Sequence, residues 1–146
     1  MTMTKYDEYE QRVEAIVGDV NDGTFEEALE KFFQHLKATL QFPCEVTGIE
    51  DFQWEEPYVI GGWSQKEYER LKKTQPSYKD RYDLLAIEQD AYSEWMMFGE
   101  DIAAVVRRKK DKKEFVLGLS ELRATDKKSN NFQLIDDYSR WLVNNR

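Results

Sequence analysis

At 146 residues, with 40% hydrophobic and 14% aromatic side chains, the chain has the size of one domain and enough apolar material for a real core. Its 21 basic and 29 acidic residues leave a formal charge of -8, which disfavours non-specific binding to a phosphate backbone and favours cations and basic partners. One cysteine, Cys44, excludes an internal disulfide, no apolar run approaches the roughly 20 residues that span a bilayer, and the start Met1 to Tyr6 lacks the basic-then-apolar pattern of a secretory signal; a cytoplasmic protein with no nucleic-acid and no membrane partner is therefore expected.

From Tyr6 to Val20, apolar residues fall three or four apart, at Tyr6, Tyr9, Val13, Ile16, Val17 and Val20, which predicts an amphipathic helix. Asn21-Asp22-Gly23 reads as a turn. A second helix begins at Thr24, whose hydroxyl can cap free amides while Glu27 reaches back, and it buries Phe25, Leu29, Phe32, Phe33, Leu36 and Leu40. Pro43 ends it. The partial alternation from Phe42 to Phe52 predicts a strand, and Pro57 to Trp63 reads as a second, closed by Gly61-Gly62. Ser64 and Glu67 open a short helix that buries Tyr68 and Leu71, and Lys72 to Ser77 is a surface connection.

Tyr82 to Glu88 forms the next strand, and Asp90 to Glu100 is a loop or short helix rich in aromatics and methionine. Ile102 to Val106 and Glu114 to Leu119 then make a β-hairpin on which the rest packs, with the basic run Arg107 to Lys113 as its solvated turn. Ser120-Glu121-Leu122 leaves the sheet through a tight turn, Asp126 to Asn131 is polar loop, and Phe132 to Val143 is a docked helix with Leu134, Ile135, Tyr138, Trp141 and Leu142 on one face. The order of elements predicts an α+β fold in a single domain, 1–146, with a helical part at 1–41, a β-rich core at 42–122, and a closing loop and helix at 123–146.

Catalytic chemistry finds little support. The lone His35 sits beside an apolar stripe and reads as structural, Cys44 lacks the basic setting of a reactive thiol, and one cysteine with one histidine cannot make a zinc site without carboxylates. The protein is not expected to be an enzyme. Oxygen ligands are plentiful, and calcium takes about six to eight of them. The nearest approach to an EF-hand loop, Asp19 to Thr24, fails in its glycine register and has Leu29 where the bidentate glutamate belongs. Glu88, Asp90, Glu94, Glu100 and Asp101 flank one connection and could converge on a divalent ion, although on spacing alone a solvated acidic loop is the plainer account. In a second acidic group, Asp126, Asp136 and Asp137, pairing of Asp136 with Arg140 is expected.

Several blocks are familiar: Phe42-Pro43-Cys44-Glu45-Val46, Ile102 to Val106, Phe115 to Leu122, Ser129 to Leu134, and the closing Asp136-Asp137-Tyr138-Ser139-Arg140-Trp141. Together they resemble the bacterial calcium-binding family typified by the cyanobacterial protein CcbP. The resemblance implies a small SH3-like β-barrel or curled antiparallel sheet flanked by helices, an acidic cytoplasmic protein, and calcium buffering without EF-hands. Against that family, Gln53 to Asp80 reads as an insertion and Cys44 stands where phenylalanine is expected. The expected activity is calcium binding or buffering through Glu88, Asp90, Glu94, Glu100 and Asp101. The alternative is a metal-free SH3-like interaction module in which Trp54, Trp63 and Trp95 hold a basic or proline-containing segment.

Overall fold

The computed structural model describes residues 2–19 and 23–146. Helix α1 spans Lys5–Val17 and starts in a reciprocal capping box between Thr4 and Asp7. Gly18 caps it at a φ of 85°, a region open to glycine. Val20, the last residue of the expected helix, and Asn21 and Asp22 of the turn expected after it lie outside the described residues. Helix α2 spans Phe25–Thr39, and the Thr24 hydroxyl accepts from the Glu27 amide as the sequence predicts.

Strands β1 (Cys44–Gly48), β2 (Arg81–Glu88), β3 (Ala103–Arg108), β4 (Glu114–Gly118) and β5 (Leu122–Ala124) form one antiparallel sheet in the order β4-β3-β2-β1-β5. It is open, with β4 and β5 at its edges. The hairpin is present at β3–β4, and an irregularity in register at Leu84/Ala86 breaks the β2–β3 ladder. The tight turn expected at Ser120-Glu121-Leu122 is present as a 3-10 turn, Leu119–Glu121, and β5 follows it where the closing loop was expected to begin. Three residues are too few for periodicity to reveal, yet Leu122 and Ala124 are buried and pair with Gly48 and Val46 of β1.

The predicted strand over Pro57 to Trp63 is instead a short helix, α3 (Glu56–Val59), with Pro57 in its first turn. The apolar residues there serve an aromatic cluster, since Tyr58 stacks on Tyr68 at 5.4 Å and Trp54 and Trp63 meet Tyr58 edge-on. The two glycines end α3 for geometric reasons: a Cβ on Gly61 would lie 2.8 Å from the Pro57 carbonyl, and Gly62 has a φ of 75°. Helix α4 (Gln65–Leu71) follows, capped by Ser64. Glu55 ties this segment down. It is fully buried and accepts from the Phe52 amide at 3.1 Å, the Tyr78 amide at 3.0 Å and the Tyr68 hydroxyl at 2.8 Å.

Helix α5 spans Asn130–Asn145, starting two residues earlier than its periodic pattern because Ser129 caps it. Phe32, Phe33 and Leu36 of α2, Val13 and Val17 of α1, and Ile135, Tyr138, Trp141 and Leu142 of α5 share one core with Val46, Leu84, Val106, Leu117 and Leu122 of the sheet. Asp137, not Asp136, is the paired acid: it is buried and receives Arg12 of α1 through two bonds of 2.7 and 3.0 Å. Arg140 lies over the Tyr9 ring, 4.8 Å from its centroid, instead of pairing with Asp136.

The basic turn is also different from its sequence reading. Arg108 has no exposed side-chain surface; it pairs with Asp80 at 3.1 Å and Asp111 at 2.7 Å and donates to the carbonyls of Lys72, Lys73 and Gln75. The expected surface connection at 72–77 is thereby fastened to the hairpin. Lys109, Lys110, Lys112 and Lys113 do remain exposed.

Candidate functional site

The connection from β2 to β3 carries Asp90, Glu94, Glu100 and Asp101, and burial sorts these carboxylates. Asp101, two residues before β3, is 4% exposed. Its carboxylate accepts from the Tyr138 hydroxyl at 2.7 Å, the Ser120 hydroxyl at 2.6 Å and the Ser120 amide, so it joins the start of β3, the 3-10 turn Leu119–Glu121 and α5. Burial drives its pKa up to about 6, against the opposing pull of these hydrogen bonds. The same neighbour pushes the Tyr138 hydroxyl well above its ordinary range, where burial is the main cause.

A second carboxylate faces the same place. Glu121 accepts from the Met97 amide at 3.3 Å, and a Cβ placed on Gly118 would run into both Asp101 Oδ2 and Glu121 Oε2, so these oxygens approach the same bare Cα. Burial first, and then repulsion from Asp101 and Glu50, raises Glu121 to about 7. Glycine at 118 is thus what lets two acids converge at the end of β4.

Asp90, Glu100 and Asp101 line a cavity of about 190 Å³ together with Glu26 and Phe25 of α2. Three of the five residues singled out from sequence therefore border one space. Glu88 is exposed on β2 opposite Ala103, and Glu94 borders a different groove with Gln53, Trp54, Tyr92 and Trp95. Among the described residues, no three His, Cys, Asp or Glu side chains gather as a metal-holding group. Oxygen-only donors suit a hard cation such as calcium, and backbone carbonyls and water would have to complete the shell.

Glu26, Glu50 and Glu121 escaped the sequence reading. Each lies on a different element and no spacing rule joins them: Glu26 of α2 borders the cavity of Asp90, Glu100 and Asp101, and Glu50, after β1, acts on Glu121 of the 3-10 turn. The tryptophans divide likewise: Trp54 and Trp95 share a groove, whereas Trp63 is 57% exposed and lies edge-on to Tyr58 outside that lining. His35 is half-buried on α2 and Cys44 half-buried on β1, where burial raises the thiol.

No protein-family model matches the chain, and no curated protein matches its sequence. Solved structures do match. The crystal structure of Anabaena CcbP aligns over 97% of this chain and 94% of that one at 20% identity, with a TM-score of 0.58. The chain has a CcbP-like fold. A calcium-binding protein in its calcium-binding form aligns over 97% of both chains at 21% identity, with a TM-score of 0.56. Near-complete coverage in both directions means that the CcbP-like architecture extends from the helical N-terminal part through the sheet to α5, and the resemblance read from blocks of sequence holds at the level of the fold.

Proposed function

We propose that this CcbP-like protein binds calcium without an EF-hand, as a cytoplasmic calcium-binding or calcium-buffering protein and not an enzyme. The supporting observation is the fold match over nearly the whole chain to two structures named for calcium-binding proteins. Physical chemistry adds a reason within the chain. Asp101 belongs both to the cavity bordered by Asp90 and Glu100 and to the repelling pair with Glu121, so a divalent cation there would relieve charge that burial disfavours. In this reading Asp90, Glu100 and Asp101 supply first ligands, with Glu121 beside them, while Glu88 and Glu94, singled out with them from sequence, lie outside this cavity.

The test is isothermal titration of chelator-stripped protein with calcium, with magnesium in excess as the control. Saturable heat that survives magnesium, accompanied by a rise in melting temperature, is expected. Asp90→Asn with Glu100→Gln should weaken it at least tenfold while leaving the apo fold intact, since both side chains are exposed. Absence of saturable heat up to about 1 mM calcium, a dissociation constant worth only about 4 kcal/mol, would defeat the proposal.

A further inference from the structure

The groove between Trp54 and Trp95 stands apart from the carboxylate cavity and is built from two segments far apart in sequence. Trp54 precedes α3, and its indole N–H donates to the Pro76 carbonyl at 2.6 Å while its ring leans on Tyr58 and Tyr68. Trp95, in the β2–β3 connection, sets its ring edge-on to Phe115 of β4, and its backbone amide donates to Ser93 Oγ, which in turn donates to the Val116 carbonyl. Both walls are held by the scaffold before any ligand arrives, so little side-chain ordering is left to oppose binding. The space between them is about 620 Å³, within the range of a ligand site.

The chemistry of the lining narrows the occupant. The Trp95 indole N–H, the Tyr92 hydroxyl and the Gln53 side chain make no hydrogen bond among the described residues, and Tyr92 is 68% exposed. A groove that offers aromatic faces and unused donors suits a backbone that presents bare carbonyls and few N–H groups. Proline-containing polyproline II chain is such a backbone, and its rings pack on aromatic faces in a conformation already ordered in water. Charge selects further. Among the lining residues Glu94 is the charged one, an exposed carboxylate, and the lining holds no lysine or arginine.

We propose that the Gln53–Trp54–Tyr92–Glu94–Trp95 groove binds a proline-containing segment of another protein in polyproline II conformation, with an arginine or lysine of that segment placed at Glu94. The site does not depend on calcium. It uses Trp54 and Trp95 and leaves Trp63 out.

The probe is a blocked decapeptide rich in proline with two arginines at one end, titrated into the full chain in chelator and again in calcium. The readout is the indole N–H resonance of Trp95 in the nitrogen-15 spectrum, against a peptide with alanine for proline and one with glutamate for arginine. The expected result is a saturable shift with the proline-arginine peptide, at least tenfold weaker binding for both comparison peptides, and a tenfold loss in Tyr92→Ala. Because Tyr92 is exposed, that variant should keep its circular dichroism and melting temperature. Glu94→Gln should abolish the preference for arginine over glutamate in the peptide. Equal binding of the alanine peptide, no shift up to about 2 mM peptide, or a concentration-dependent dimer that Tyr92→Ala dissociates would each overturn the proposal, the last in favour of a second copy of this chain. Because the chelator arm stands alone, failure of calcium binding leaves this result unaffected.

Discussion

Glu121→Gln examines the converging acids at the end of β4 through the pH dependence of stability. In the folded protein Glu121 is raised from its ordinary 4.5 to about 7, chiefly by burial, so the native state holds its proton more tightly than the unfolded chain does. That contribution is fully present below about pH 4.5 and is lost as the pH climbs through 7. At about 1.36 kcal/mol per pH unit, roughly 2–3 kcal/mol disappears between pH 5 and pH 8. Asp101, raised from 3.8 to about 6, removes about 1 kcal/mol more over the same interval, and the two titrate as a coupled pair. The carboxylates held low, Asp111 at about 2 and Glu45 below its ordinary value, finish titrating beneath this window. Urea unfolding at pH 5 and pH 8, at fixed ionic strength and with chelator present, should find the wild type about 3 kcal/mol less stable at the higher pH. Glutamine keeps an acceptor for the Met97 amide and removes the charge, so the variant should lose most of that difference and be the more stable protein at pH 8. Wild-type stability that is flat or rising from pH 5 to pH 8 would refute the reasoning, as would a variant weakened equally at both.

Arg108→Met leaves Asp80, Asp111 and three backbone carbonyls without their shared donor and should cost about 3 kcal/mol, readable as a lowered urea midpoint; a change under about 1 kcal/mol would show that this network is dispensable. Gly48→Ala would place a Cβ 2.7 Å from the Tyr78 Cα and 2.8 Å from its carbonyl oxygen, where backbone must move. A loss of about 1–3 kcal/mol by the same assay is expected, and a neutral result would mean that the 49–80 segment is more loosely seated on β1 than this contact implies.

The site was less legible in the sequence than the scaffold, and particular residues show why. Asp90, Glu100 and Asp101 could be grouped because they lie on one connection, but their roles could not: Asp101 is a buried junction held by Ser120 and Tyr138, whereas Asp90 and Glu100 stay exposed. Glu121 reads in sequence as a turn residue. Only the glycine at 118, with no Cβ between the acids, brings it to Asp101. Trp54 and Trp95 share a groove across some forty residues of intervening chain, while Trp63, far closer in sequence to Trp54, does not join it.

Local patterning by itself determined α1, α2 and α5, because a 3.6-residue apolar period and a capping hydroxyl are properties of neighbouring residues. It determined the β3–β4 hairpin for the same kind of reason, two apolar arms joined by a charged turn. Tertiary structure decided what depends on distant partners. Leu122–Ala124 became a strand because β1 had a free edge to pair with, and Pro57 to Trp63 became a helix and its cap because aromatic stacking on Tyr68 and the anchoring of Glu55 absorbed its apolar residues. Arg108, one cation among eight charged residues in a row, was buried because Asp80 and three carbonyls from elsewhere in the chain, with Asp111 of the same turn, surround it. Burial of a charge is decided by the partners that meet it, and of those at Arg108 all but Asp111 are distant in sequence.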